Sequence, residues 1–219
     1  MRSPARALAP ALTAALLLAA CGDPPASTPR TGPPPVTLTA PATSTNPPPT
    51  TTPDPPTVPG LPADVPTTGP NLTRAGETPP LMPPEATAHT PAGAVAFAEF
   101  FIRTMDWGYA TVSSTYMRHY FTADCTICAG LADGIDGIAA KGRHVYGNRF
   151  AIAPGSTATP GSSGGEEYAV RVSYSVTSGE VVDTSGRFVE GQPALQLVDQ
   201  ISTRWSHDRW SVVAIGFVQ

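Results

Sequence analysis

The chain has 219 residues, among them 27 prolines, 20 glycines and 3 cysteines, with a formal net charge of −4. Residues 92–219 carry nine Lys/Arg against twelve Asp/Glu and no basic run, so the electrostatic footprint of a nucleic-acid partner is missing.

The first twenty residues have the layout of a signal peptide. MRSPAR supplies Arg2 and Arg6 and no acid, and LAPALTAALLLAA follows as an apolar run. That run is short for a membrane span, which takes about 20 apolar residues. It ends in Leu18-Ala19-Ala20-Cys21, which resembles a bacterial lipobox. In precursors with that motif the cysteine is diacylglycerylated and becomes the new N-terminus. The resemblance therefore implies lipidation at Cys21, the membrane as a partner, and display on the extracellular face of the cell membrane. Each buried methylene of such an anchor contributes about 0.8 kcal/mol. An ordinary signal peptide with a cysteine beside its cleavage site is the alternative.

From Gly22 to Pro91 lie 22 of the 27 prolines and 16 threonines, without one Phe, Trp, Tyr or Ile. Such a stretch buries too little apolar surface to offset the entropy of ordering its backbone. Residues 21–89 are therefore expected to be the lipid-anchor site followed by a disordered Pro/Thr-rich linker. Pro33-Pro34-Pro35 and Pro47-Pro48-Pro49 favour polyproline II, about 3.1 Å per residue, which makes the segment a semi-rigid stalk. Proline runs also dock into aromatic-lined grooves. In a tethered exported protein the spacer role is the plainer one.

Residues 90–219 suffice for one hydrophobic core. Thr90 caps and Pro91 opens a helix expected over 91–106. Val95, Ala98, Ile102, Met105 and Tyr109 recur at spacings of three and four, and Phe97 and Phe101 broaden the stripe. One or two further helical turns are expected within 109–120. A third helix begins near Cys125, with Thr122 or Asp124 as cap. It carries Cys128, Leu131, Ile135 and Ile138 at helical spacing and stops at Gly142.

The period then changes from helix to strand. Residues 145–153 read as a strand and GSTATPGSSGG as a loop. Tyr168, Val170, Val172, Tyr174 and Val176 alternate with Ala169, Arg171, Ser173 and Ser175, as in a half-buried strand. Val181-Val182 continue it after a turn at Ser178-Gly179. LQLVDQISTRW and WSVVAIGFV are two more strands, joined by a short hairpin turn over residues 206–209. Helices first and a meander afterwards predict an α+β domain. Its N-terminal helices would pack on a curved antiparallel sheet of about four strands.

Lipobox, stalk, TPAGAVAFAEFFIRTMDWGYAT, DCTICAGLADGIDGI and GRHVYGN together resemble the actinobacterial lipoproteins of domain-of-unknown-function family 6318. Motifs carry the resemblance over about residues 90–150, and strand layout carries the rest. It implies a plan similar to the cone-shaped fold of nuclear transport factor two. That plan hosts isomerases, dehydratases and binding modules alike, so no activity comes with it.

Chemistry-bearing residues are few. Cys125 and Cys128 form a C-x-x-C. A thioredoxin-like centre places that motif after a strand in a β-α-β setting, and residues 116–123 do not read as a central strand. A thiol at Cys125, near a helix start, would still have a lowered pKa. Zinc needs about four ligands, and His119, His144 and His207 are scattered. In an oxidising exported compartment a nearby pair is by default a bridge. With Cys21 lipidated, a Cys125–Cys128 disulfide is the expectation. There is no G-x-S-x-G and no phosphate loop, and no metal or cofactor is expected.

Asp199 shares a strand face with Leu195, Leu197 and Ile201. An acid there is either a pocket base of the kind isomerases use, or an acid that is paired with an arginine or lies at the sheet rim. Trp107, Tyr109, Tyr116 and Tyr120 are candidates for a pocket mouth, or simply core and rim aromatics. The expected function is a surface-anchored, non-catalytic module for an envelope ligand or a protein partner. A small isomerase- or lyase-type enzyme using Asp199, and a purely structural envelope protein, are the alternatives.

Overall fold

The computed structural model describes residues 60–72, 76–162 and 164–218. The expected signal peptide, the lipidation site Cys21 and the linker up to residue 59 lie outside the described residues.

Packing onto the domain begins before the expected boundary at residue 90. Val65 and Asn71 are buried. Asn71 Nδ2 donates to the Tyr109 carbonyl at 3.0 Å, and Trp107 Nε1 donates to the Pro66 carbonyl at 2.9 Å. A 3-10 turn at Pro84–Thr87 leads into the first helix. Composition concealed this because the segment contributes mainly backbone acceptors, while the large donors they satisfy sit on the domain.

Helix α1 spans Pro91–Thr111. The Thr90 hydroxyl accepts from the Gly93 amide at 3.0 Å and Pro91 lies in the first turn, as expected. The helix runs past residue 106 and stops where Val112 adopts a left-handed φ of 53°. A single turn, α2, covers Thr115–Arg118. Helix α3 spans Thr126–Ala140 and is capped by Cys125 instead of Thr122 or Asp124, because Cys125 Sγ accepts from the Cys128 amide at 3.3 Å.

Eight strands follow among the described residues. The expected strand at 145–153 is two, β1 His144–Gly147 and β2 Phe150–Ile152. Gly147 and Asn148 separate them with φ values of 71° and 53°. Part of the expected loop is β3, Thr157–Pro160. Strand β4, Glu167–Val176, has the predicted alternation, with Tyr168, Val170, Val172, Tyr174 and Val176 all buried. Then come β5 Gly179–Val182, β6 Phe188–Gln192, β7 Leu195–Ser206 and β8 Arg209–Phe217. His207 and Asp208, with φ values of 52° and 57°, close the β7–β8 hairpin as a two-residue turn of the primed type does.

The class is α+β, as the order of elements predicted. All pairings between named strands are antiparallel. The main sheet runs β2-β4-β7-β8, with β3 also pairing β4. Strands β1, β5 and β6 form a second, three-stranded sheet, so Val181-Val182 leave β4 and do not extend it. One core joins the layers: Phe97, Phe100, Phe101 and Ile102 of α1 pack with Val170, Val172, Ile201 and Val212 of the main sheet. Among the described residues no helix is long and apolar enough to cross a membrane.

Candidate functional site

The core is not filled throughout. A cavity of about 190 Å³ opens where α1 and α3 meet the ends of β4, β7 and β8. Met105 and Tyr109, one helical turn apart on α1, form one wall with Leu131 of α3. Phe150 of β2, Tyr174 of β4, Leu197 and Asp199 of β7 and Ile215 of β8 form the other. Leu195 and Phe217 reach solvent at its rim, 44% and 66% exposed, and the amides of Asn148 and Gln192 also contribute to the lining.

Strand alternation puts Asp199 on the inner face beside Ile201 and Thr203, where it is 1% exposed. In the β4–β7 register Leu197 lies opposite Tyr174 and Asp199 opposite Val172. Tyr174 and Asp199 are thus diagonal neighbours. The Tyr174 hydroxyl donates to Asp199 Oδ2 at 2.7 Å. Asp199 Oδ1 has no hydrogen-bond partner among the described residues.

Burial pushes the Asp199 carboxyl above its ordinary pKa, and the Tyr174 hydrogen bond draws it partly back. Burial, reinforced by the adjacent carboxyl, drives the Tyr174 phenol far upward. Tyr174 therefore keeps its proton and remains a donor, while Asp199 is an acid whose proton is easier to gain than in water.

The aromatic wall is held by an ion-pair clamp. Asp106 of α1 accepts from Arg149 Nε and Nη2 at 3.0 and 2.8 Å and from the Phe150 amide at 2.9 Å. Glu77, from the segment before the helices, pairs with Arg149 as well. Burial alone would lower the Arg149 pKa, but these two carboxylates outweigh it and hold the guanidinium charged. The clamp ties the start of β2 to α1. It sets Phe150 nearly parallel to Tyr174, at 18° with centroids 5.6 Å apart, and Tyr109 lies 5.9 Å from Phe150.

Of the four aromatic candidates from the sequence, the structure brings only Tyr109 to this cavity. Trp107 lines a separate cleft of about 230 Å³ with Glu77, Asp106 and Arg149. Tyr116 is fully buried, donates its hydroxyl to the Pro80 carbonyl, and packs edge-on against Phe100 and Tyr120. Trp107 and Tyr116 turn away from the cavity, towards the acceptors that the Pro66 and Pro80 carbonyls offer. Asp199, 1% exposed, is not at the rim, and among the described residues it pairs with no arginine. Sequence reasoning missed Tyr174 and Phe150 as site residues. The inward face of β4 was visible for Tyr174, but its partnership with Asp199 depends on the pairing of strands 25 residues apart.

Cys125 and Cys128 form a disulfide with Cα atoms 5.2 Å apart. At 1% and 0% exposure the cysteines are shielded from an attacking thiol, so the bridge is a staple at the start of α3. Among the described residues no three His, Cys, Asp or Glu side chains cluster as a metal cage.

The model of the family of unknown function DUF6318 matches residues 71–215. No curated protein matches. Similar solved structures include the intermembrane space region of the chloroplast protein ARC6, at TM-score 0.44 and 9% identity over 58% of this chain and 95% of that one. A protein described as a putative aromatic ring hydroxylase from Novosphingobium aromaticivorans follows, at TM-score 0.36 and 17% identity over 59% and 92%. Aln2 from a Streptomyces species has a TM-score of 0.32 and 13% identity over 57% and 87%. Such distant likenesses say nothing about activity.

Proposed function

Because the chain belongs to the family of unknown function DUF6318, whose description assigns no activity, we propose a role from its own cavity: the domain binds a small, largely apolar molecule between α1, α3 and the main sheet. The observation that carries this is an apolar space of about 190 Å³ kept open around a buried acid. Interiors are otherwise close-packed, and an unfilled space costs stability. A cavity of about 150 Å³ holds benzene in an engineered protein. The ligand is thus of single-ring or short-chain size, with about ten non-hydrogen atoms.

The test combines native mass spectrometry of the protein purified from its host with thermal shifts against single-ring and short acyl compounds. A carried mass, or a ligand-dependent rise in melting temperature lost in Leu197→Trp, is expected. Absence of any carried mass together with an unmoved melting temperature across the panel would sink the reading.

An isomerase- or lyase-type enzyme is the second reading, supported by the raised pKa and unpartnered Oδ1 of Asp199. Asp199-dependent exchange of a bound ketone's α-protons with deuterated water would favour it over plain binding.

We further place the module on the extracellular face of the cell membrane, anchored through lipid on Cys21. The support is the layout of residues 1–21. Cys21→Ser should abolish incorporation of labelled palmitate and shift the protein from the detergent to the aqueous phase on partitioning. Labelling that survives the substitution counts against the anchor.

A further inference from the structure

Among the described residues Asp199 is the only acid lining the cavity, and no Arg, Lys or His lines it. Among those same residues no cation pairs with Asp199. Its Oδ2 takes the Tyr174 hydroxyl, and Oδ1 takes nothing. The groups around the cavity from the other elements are Tyr174 and Val176 of β4, Tyr109 and Met105 of α1, Leu131 of α3, Phe150 of β2, Gln192 of β6, Ile215 and Phe217 of β8, and Asn148 between β1 and β2. Of these only the two tyrosines ionise, and burial holds the protons of both.

A carboxylate with no counter-charge in an apolar space is far more costly than an amide of the same shape. If charge is to be balanced here, it has to come with the ligand. The wall that holds Asp199, with Tyr109 facing it, suits a cation. Phe150 and Tyr174 stack, Tyr109 lies beside them, and aromatic faces attract ammonium groups. The rim carries amides and apolar side chains, with no positive charge to repel an incoming cation.

We infer that the ligand is a small cationic amphiphile, an ammonium joined to a single ring or short hydrocarbon, with the ammonium paired to Asp199 and the apolar part packed against Phe150, Leu197 and Ile215. This rests on reading the cavity as a ligand site. No covalent step is involved. Where Asp199 is protonated, the arriving ammonium displaces that proton to solvent, so affinity for the cation rises with pH through the titration of the carboxyl.

The experiment uses the full-length protein and three probes of one skeleton: 2-phenylethylamine, 2-phenylethanol and phenylacetate. At mildly alkaline pH the amine is expected to bind at least about tenfold tighter than the alcohol, with phenylacetate weakest. Asp199→Asn should level amine and alcohol while alcohol binding persists. Should that variant fail to fold, a pH series on the unmodified protein gives the same answer: amine affinity falls towards acid and alcohol affinity stays flat. Equal binding of amine and alcohol, or an amine preference that survives Asp199→Asn, overturns the cationic ligand and leaves the pocket reading intact. If no probe binds and the wider compound panel also fails, both readings fall.

Discussion

Asp199 carries a desolvation cost that its neighbours do not remove. Its pKa is raised in the folded state, so the native protein holds that proton more tightly than the unfolded chain. Stability from this group is therefore lost as pH rises from the ordinary carboxyl value through the raised one. Asp136 behaves oppositely. Burial would raise it too, but hydrogen bonds from Ser114 and Arg118 win and lower it, so its contribution is lost towards acid. A difference between two proteins isolates Asp199. Asp199→Asn should raise stability at neutral pH by about 1–2 kcal/mol, and the gain should shrink as pH falls to the ordinary carboxyl range. Urea unfolding of both proteins across pH measures it, and a variant that is less stable at neutral pH refutes the cost. At this scale the position of Asp199 on an inner face was legible from alternation alone. Its lack of a counter-charge was not, since that depends on every element facing it.

Helix α3 is set by its first turn. The Cys125–Cys128 bridge closes a loop of four residues, and Cys128, Ala132 and Ile135 then face the core while Leu131 reaches the cavity. In the chain-entropy account a loop this short is worth about 2 kcal/mol. Replacing both cysteines by serine should cost at least about that, because two hydroxyls then occupy buried positions. Guanidinium unfolding of the double variant checks it, and an unchanged midpoint contradicts the staple. The helical periods of α1 and α3 and the alternation of β4 and β7 could be read locally. The break at Gly147-Asn148 could not, because it interrupts a run that still looks like one strand. Strand β3 was hidden for another reason. Thr157-Ala158-Thr159-Pro160 is polar and mostly exposed, and it exists by pairing with β4.

For the molecule as a whole, the segment before α1 belongs to the domain. Trp107, Tyr116 and Arg149 take their partners from Pro66, Pro80 and Glu77. A chain starting at Thr90 should therefore be less stable than one starting at Gly60 by at least about 2 kcal/mol, one unit for each neutral donor left without its acceptor. Equal stability of the two by urea unfolding would show that the segment merely rests on the surface. By itself the sequence determined the α+β class and the order of helices and strands, because the change from a helical to a strand period is written in neighbouring residues. Only the tertiary structure decided which aromatics meet, that a cavity stays open, and that Asp199 lies in it with one oxygen unpartnered. Those outcomes depend on strand register and on contacts such as Asn71 with Tyr109 and Trp210 with Ala88, 38 and 122 residues apart. No local pattern encodes pairings at that distance.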